Sequence, residues 1–357
     1  MSLEASNIPN DSAVPGATVK DALNNLSGGS SPLLTARWWD LIPRNGYVLP
    51  LSPAPFRAYY TCVEYNAVPT FFDGTSLRKY VAYFGGGTSG QAHVVFSDDG
   101  ITWDTQTLVT GLTGVGYHAS TIVVGGIIHY FYWDTTGSLY RPQAVRHATF
   151  NPAVSCVAAV SDAPLTGTYI TGLIPDGLRY GTYGVDQAFY NAAPTNNPAN
   201  PYSYQWCIIH SGVGTTTNEG ILFATSTDGY NFSAWNALNE VVPRGISPAW
   251  DLCIGRINTF IDSKGLWHGF YSGGLGTGLG EDSNFAGGLG YVTSINGITW
   301  VKHKNNPVLL KTEMYKTWKR LYCPWVIKDG TNYKLYFTGK DNPGVYVTAL
   351  ADLQGFI

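Results

Sequence analysis

Short apolar runs rich in aromatic residues recur along the chain and predict strands. Five of them end in small or polar residues: YVAYFGGG (80–87), IHYFYWDT (128–135), QWCIIHSG (205–212), WHGFYSGG (267–274) and YKLYFTGK (333–340). β-Branched and aromatic residues in runs of this length, bounded by turn residues, are typical of strands. The runs recur at intervals of about 50 to 80 residues, which indicates a repeated unit of several strands.

A turn motif supports the same repeat. FSDDGITW (96–103), TSTDGYNF (225–232) and TSINGITW (293–300) share Ser, any residue, Asp or Asn, then Gly, followed by Thr or Asn and an aromatic residue. Asp-Gly and Asn-Gly close tight antiparallel turns because both residues tolerate positive φ. We interpret these three Ser-Asp-Gly turns as structural elements of the repeat and not as functional sites.

The repeat predicts an all-β architecture. Each aromatic run is preceded by a strand and a turn and is followed by a strand that can carry the Ser-Asp-Gly turn, so one unit is a four-stranded antiparallel sheet. Five units fill residues 38–357, although the second and the fifth lack the turn. Such sheets have two apolar faces that only neighbouring sheets can bury, which favours a five-bladed β-propeller. Two stacked β-sandwiches are the alternative, but they predict no common module.

The first 37 residues follow a different pattern. Val19, Ala22, Leu23 and Leu26 fall on one face of a short predicted helix, which ends at the glycines of the linker GGSSP. A helix of this length is unstable alone in water. We therefore expect residues 1–37 to form an arm that self-associates or docks on a partner.

Composition excludes several classes of protein. Charged residues are only 13% of the chain and the formal net charge is −3, so a nucleic-acid partner is not indicated. There is no apolar run of about 20 residues for membrane insertion and no signal-peptide pattern at the N-terminus. Five scattered cysteines outside metal-ligand spacings predict buried thiols, and neither a metal nor another cofactor is expected.

The segment IPNDSAVPGATVKDALNNLSGG (8–29) resembles the virion-attachment regions of bacteriophage tail-fibre and tailspike proteins. The resemblance implies a phage-tail protein of the virion, made in the host cytoplasm. It also implies a homotrimer whose residues 1–30 contact other phage tail proteins.

The remainder resembles five-bladed glycoside hydrolases of the arabinanase, invertase and levansucrase type. The similarity lies in GLGYVTSINGITWVKHKNNPVL (288–309) and NAVPTFFDG (66–74). The Ser-Asp-Gly turn also resembles the Asp-box of sialidases, which is a structural turn. In the hydrolases, three carboxylates on the innermost strands surround a central funnel and cleave glycosidic bonds.

Only some of the catalytic residues of these hydrolases have a counterpart in this chain. Asn66 matches the first-blade motif, but Ala67 stands in place of its catalytic Asp, and Glu64 replaces it only if the register shifts. Asp186 falls where the transition-state-stabilising Asp is expected, and Asp251 falls where the general acid is expected. Each of the three carboxylates could also be structural, as a turn cap or a solvated side chain.

Further polar and aromatic residues fall at similar places in the units. We predict that a glycan contacts His118, Gln187, Arg256, Arg320, Tyr322, Trp133 and Trp318. Amide and charged groups bind sugar hydroxyls, and indole rings stack on pyranose faces. Because the first Asp is lost, the sequence favours a receptor-binding protein that recognises a bacterial surface polysaccharide. A tailspike glycoside hydrolase is the alternative, and a purely structural virion protein is the third.

Overall fold

Strands account for most of the chain that the computed structural model describes. The described residues are 58–86, 91–114, 116–134, 144–166, 181–213, 219–235, 240–246, 249–274, 287–313, 319–340 and 345–353. The predicted N-terminal arm and its linker, residues 1–37, lie outside them. Among the described residues, no helix has the length and apolar character needed to cross a bilayer.

Consecutive strands form the first three blades. The first blade contains β1 (Tyr59–Tyr65), an accessory hairpin of β2 (Phe71–Phe72) and β3 (Leu77–Arg78), then β4 (Tyr80–Gly86), β5 (Gln91–Ser97) and β6 (Thr107–Leu108). The second contains β7 (Gly116–Val124), β8 (Ile127–Asp134), β9 (Ala144–Phe150) and β10 (Ser161–Pro164). The third contains β11 (Gly181–Tyr190), β12 (Trp206–Val213), β13 (Glu219–Ser226) and β14 (Ser233–Ala234).

The last two blades follow the same order. The fourth contains β15 (Cys253–Ile261), β16 (Trp267–Gly274), β17 (Gly288–Ser294) and β18 (Val301–Lys302), and β19 (Leu309–Leu310) also pairs with β17. The described part of the fifth contains β20 (Arg320–Asp329), β21 (Asn332–Lys340) and β22 (Tyr346–Leu353). All these pairings are antiparallel, and short 3-10 turns occur at Pro201–Ser203 and Lys311–Glu313.

The innermost strands close into a ring. β1 contacts β7, β7 contacts β11, β11 contacts β15, β15 contacts β20, and β20 returns to β1. This arrangement confirms the predicted five-bladed β-propeller and shows that the alternative of stacked sandwiches is wrong. Each blade buries both of its faces, as the pattern predicted. Tyr83 of the first blade, for example, packs 5.2 Å from Tyr130 of the second, and Phe260 of the fourth packs 4.5 Å from Tyr333 of the fifth.

The Ser-Asp-Gly turns are closed networks of hydrogen bonds. The Ser97 hydroxyl donates to Asp99 and accepts from the amides of Asp99 and Gly100. The same bonds form in the turns at 226–229 and 294–297. Each turn glycine has a positive φ, between 71° and 78°, which Gly adopts without strain. The turns are therefore structural, as the motif indicated.

Two of the turns also join neighbouring blades. The Tyr336 hydroxyl, on β21 of the fifth blade, donates to the Gly100 carbonyl of the first blade at 2.8 Å. The Tyr202 hydroxyl of the third blade donates to the Gly297 carbonyl of the fourth at 2.9 Å. We call such a hydrogen bond, from one blade to the outer turn of the next, a seam bond.

The second blade has a seam bond without the motif. Its segment between β9 and β10 presents the Cys156 carbonyl, which accepts from the Tyr83 hydroxyl of the first blade at 2.8 Å. Tyr83 and Tyr336 occupy equivalent positions in the second strands of their blades. The propeller therefore uses one kind of contact at several blade interfaces, including the interface that closes the ring.

Candidate functional site

Every innermost strand carries a β-bulge toward its N-terminal end. The register shifts between Tyr59 and Cys62, Tyr117 and Ser120, Val185 and Gln187, Gly255 and Ile257, and Tyr322 and Trp325. A bulge bends the strand and redirects side chains. The outer turns lie at the opposite end of the propeller, because β5 and its equivalents run in the same direction as the innermost strands and end there.

The bulges surround a cavity on the propeller axis. Its lining includes Tyr60 of β1, Ala119 of β7, Asp186 of β11, Arg256 of β15, and Cys323 and Trp325 of β20. The cavity has a volume of about 20 Å³, which is room for about one water molecule. We call it the axial cavity. All five blades contribute residues to its lining.

Three lining residues have a left-handed backbone conformation. The φ angles of Tyr60, Arg256 and Cys323 are 51°, 53° and 53°, although none of them is Gly. Such conformations cost on the order of 1–3 kcal/mol each and persist only where the surroundings hold them. Serine side chains hold two of them: the Ser211 hydroxyl accepts the Arg256 amide at 2.6 Å, and the Ser272 hydroxyl accepts the Cys323 amide at 2.9 Å.

Asp186 is the centre of the polar network in the axial cavity. One carboxyl oxygen lies 2.8 Å from Nη1 of Arg256, and the other accepts from the Ser211 hydroxyl at 2.6 Å. The Ile257 amide lies 3.4 Å from the same second oxygen. The Arg256 guanidinium lies over the Tyr60 ring, 4.6 Å from its centroid. A cation on an aromatic face is attracted by the ring quadrupole.

Burial sets the electrostatics of this network. The side chains of Asp186 and Arg256 are 1% and 10% exposed. Burial raises the pKa of Asp186 to about 8, whereas the hydrogen bonds from Ser211 and from the Ile257 amide lower it. All groups that contact the carboxyl oxygens are donors, which is the pattern of a carboxylate. Asp186 therefore has a raised proton affinity, and Arg256 neutralises its charge when it is ionised.

The other two candidate catalytic carboxylates are not part of the axial cavity. Asp251 precedes β15 and binds Lys302 at 2.5 Å and the Tyr271 hydroxyl at 2.8 Å. Glu64 is buried beside Thr121, and burial raises its pKa to about 7. Asp186 is the single acid among the described residues that line the axial cavity.

Gln187 and Tyr322 have structural contacts beside the cavity. The Gln187 side chain accepts from the amide and hydroxyl of Thr259 and donates to its carbonyl, which links β11 to β15. Tyr322 is buried and packs edge-on against Tyr60, with 5.5 Å between ring centroids. It supports the ring on which Arg256 rests. Arg320 is half-buried at the start of β20, outside the cavity lining.

Trp133, which was predicted to stack on a sugar, is buried in this structure. Its side chain is 4% exposed and belongs to the apolar core with Phe131 and Val145. His118 lies at the bulge of β7, but its side chain is outside the described part of the structure, as is the whole of Trp318.

Sequence reasoning missed several residues of the axial cavity. Tyr60, Cys323 and Trp325 carry no motif, and their importance comes from the bulges. Ser211 had a weak signal, because IIHSG and FYSGG both place a serine two residues after the aligned strand centre, at Ser211 and Ser272. All five cysteines are buried and none forms a disulfide, in agreement with the sequence. Within the described ranges, no group of three acidic, His or Cys side chains is placed to hold a metal ion.

Comparisons with known proteins show the fold. No protein-family model and no curated protein sequence matches the chain. The catalytic domain of the Coprinopsis cinerea GH62 α-L-arabinofuranosidase is 10% identical, with a TM-score of 0.56 over 87% of this chain and 95% of its own. An exo-1,5-α-L-arabinanase from a bovine ruminal metagenomic library is 11% identical, with a TM-score of 0.51 over 83% and 92%.

A third similar structure has another activity. It is an N-acetylgalactosamine deacetylase from F. plautii in complex with blood group B trisaccharide, 12% identical, with a TM-score of 0.54 over 83% of this chain and 89% of its own. At these identities the likeness extends to the fold. The chain is a five-bladed propeller resembling those of glycoside hydrolases.

Proposed function

We propose that a glycan binds at the bulged end of the propeller, over the opening of the axial cavity, which itself has room for about one water molecule. The observation that carries this proposal is the buried network of Asp186, Arg256 and Tyr60 at the point where the five innermost strands meet. Convergent donors and acceptors beside an aromatic ring suit the hydroxyls and the apolar faces of sugars. The proteins of similar fold named above act on or bind carbohydrates, which supports the same class of ligand.

Stability alone is a poor explanation for this network. Burying an ion pair costs desolvation energy, and apolar replacements of similar volume are often neutral or stabilising. The left-handed conformation of Arg256 adds a further cost. A costly arrangement in a cavity shared by five blades favours a functional role.

Glycoside hydrolysis is the second candidate, and the structural neighbours support it better than they support a pure receptor-binding role. Hydrolysis requires two carboxyl groups about 5–10 Å apart, one of them with a raised pKa. Asp186 meets the second condition. The first condition needs a second carboxyl group near Asp186, but Asp251 is bound to Lys302 and Glu64 lies outside the cavity lining.

The virion role is a separate proposal that rests on the resemblance of residues 8–29 alone. In that case residues 1–37 attach a homotrimer to the phage tail, and the propeller recognises a bacterial surface polysaccharide. A chain without residues 1–37 is then monomeric, whereas the full chain is trimeric by light scattering. A monomeric full chain at micromolar concentration contradicts this proposal.

The glycan proposal is tested with a microarray of bacterial capsular and lipopolysaccharide glycans together with soluble arabinan. We expect the full chain to bind at least one of them and the variant Arg256→Gln to lose that binding. The matched control is Arg78→Gln, because Arg78 pairs with Asp73 on the first blade, away from the axis. Release of reducing ends identifies a hydrolase, binding without release identifies a receptor-binding protein, and binding unaffected by Arg256→Gln refutes the axial site.

A further inference from the structure

One seam bond of the propeller is made by histidine instead of tyrosine. Phe131 of the second blade is equivalent to Tyr83 and Tyr336 but has no hydroxyl. His147 stacks on Phe131 with 4.3 Å between centroids, and its Nδ1 lies 3.1 Å from the Gly229 carbonyl of the third blade. His147 thus supplies the seam bond between these two blades.

A second histidine completes the contact. Nδ1 of His129 lies 2.9 Å from Nε2 of His147. A carbonyl only accepts, so Nδ1 of His147 carries its hydrogen, and in the neutral ring Nε2 is left as an acceptor. His129 must then donate from Nδ1. The closed interface can hold one proton, because His129 can then carry its hydrogen on Nε2 and accept from Nε2 of His147. When both rings are protonated, the Nε2–H of His147 faces the Nδ1–H of His129, and this hydrogen bond is lost.

Little surrounds the pair that could offset a second positive charge. The rings of Trp206 and Tyr230 pack against the pair, and Tyr190 packs against Trp206. The Gly229 carbonyl favours a charged His147, and so, more weakly, does the carboxylate of Asp162 on β10, which is bound to Arg146. In the turn of the third blade, the Asp228 carboxylate accepts from Ser226 and from the amides of Tyr230 and Asn231.

We propose that the interface between the second and third blades is an acid-sensitive seam, which opens when His129 and His147 are both protonated and two N–H groups face each other across it. The other seam bonds described above have tyrosine donors, which do not change charge in this range. The seam thus opens on acidification before the tyrosine seams do.

The pH range in which the seam opens follows from the pKa values of the two histidines. Burial lowers the pKa of His129 to about 4 and that of His147 to about 3 in the closed interface, against about 6.5 for an exposed histidine. A lowered pKa means that the closed state is fully favoured above pH 6.5 and loses stability as the pH falls toward 4. Because His129 is partly exposed, we expect the opening equilibrium to rise about a hundredfold between pH 7.5 and pH 5.

Hydrogen exchange of the full chain tests the proposal. After correction for intrinsic rates, peptides covering 224–232 should lose about a hundredfold in protection between pH 7.5 and pH 5. The equivalent turns at 95–103 and 292–300 are internal controls with tyrosine donors, and we expect them to change less than tenfold. Equal changes in all three turns, or none at 224–232, overturn the proposal.

A variant separates the pair from general acid sensitivity. His147→Asn keeps a donor near the Nδ1 position but does not titrate, so two N–H groups no longer face each other. The pH dependence of its 224–232 peptides should then be much smaller than in the wild-type chain, with only the contribution of His129 left. His268→Asn is the control, because His268 is buried in the fourth blade beside Asp262 and Tyr291. It should leave the pH dependence of 224–232 unchanged, and the proposal fails if both variants behave alike.

If His147→Asn does not fold, the wild-type chain is sufficient. With ¹⁵N-labelled histidine, a scalar coupling across the bond between the two rings should be visible at pH 7.5. It should disappear on acidification together with the protection of 224–232. A coupling that persists while the seam opens, or that is absent at pH 7.5, refutes the mechanism.

Discussion

Removing the charge of Asp186 should destabilise the protein by more than the loss of a hydrogen bond. In Asp186→Asn, the Arg256 guanidinium keeps its charge but loses its counter-ion, and its side chain is only 10% exposed. Breaking a buried pair from one side costs about 3–5 kcal/mol. The amide oxygen still accepts one hydrogen bond, so we expect a loss near 3 kcal/mol in the free energy of unfolding.

The stability of the variant that lacks the cation, Arg256→Gln, should depend on pH. In Arg256→Gln, the carboxyl of Asp186 loses its cation, and burial then keeps its pKa raised. An acid whose pKa is raised in the folded state loses stability as the pH rises. Arg256→Gln should therefore be less stable relative to wild type at pH 9 than at pH 6.

A double-mutant cycle measures the pair directly. The double variant Asp186→Asn/Arg256→Gln contains no uncompensated charge, so its loss should be similar to that of one single variant, which gives a coupling of about 3 kcal/mol. Urea unfolding at pH 9, above the pKa of about 8 of Asp186, followed by tryptophan fluorescence supplies the free energies. The control is Glu240 with Arg244, a more exposed pair for which we expect about 0.5 kcal/mol. A coupling below 1 kcal/mol for Asp186 and Arg256 would refute the account of a buried ion pair.

Three further predictions concern stability. Ser211→Ala removes the acceptor of the Arg256 amide, and urea unfolding should show a loss of about 1–3 kcal/mol. Gly229→Ala places a Cβ 2.9 Å from an indole ring at φ +78°, so its melting temperature should fall well below that of Gly125→Ala, where φ is also positive but the space is open. Burial lowers the pKa of His210 to about 4, so the free energy of unfolding should fall by about 2 kcal/mol between pH 6.5 and pH 5 as the unfolded chain takes up the proton. His210→Gln should reduce the measured pH dependence by this amount.

The fold was predictable because its signals are local. The Ser-Asp-Gly turns close through bonds within four or five residues, such as those of Ser97 and Asp99, and the turn chemistry is therefore visible in the sequence. The aromatic runs marked the second strand of each blade. The turns were correctly interpreted as structural, although their bonds to neighbouring blades had no signature.

The site was less predictable because its geometry arises between strands. The left-handed conformation of Arg256 is imposed by Ser211 of the adjacent blade, 45 residues earlier. Asp186 was singled out from the sequence and lines the axial cavity, but its neutralisation by Arg256 depends on the register of two strands. The burial of Trp133 was not predictable, since composition does not distinguish a core indole from one that faces a ligand.

The Tyr336–Gly100 seam bond makes the joint between the first and last blades the same in kind as the joints inside the chain. Because the blades form a closed ring, the fold does not require the chain to begin at the first blade. A circular permutant that begins at β11 should keep every interface between blades, provided that a linker carries the chain from the end of β22 to the start of β1. β22 runs in the same direction as β1, so its end and the start of β1 lie at opposite ends of the propeller. The linker must therefore cover the length of an eight-residue strand such as β22, roughly 26 Å.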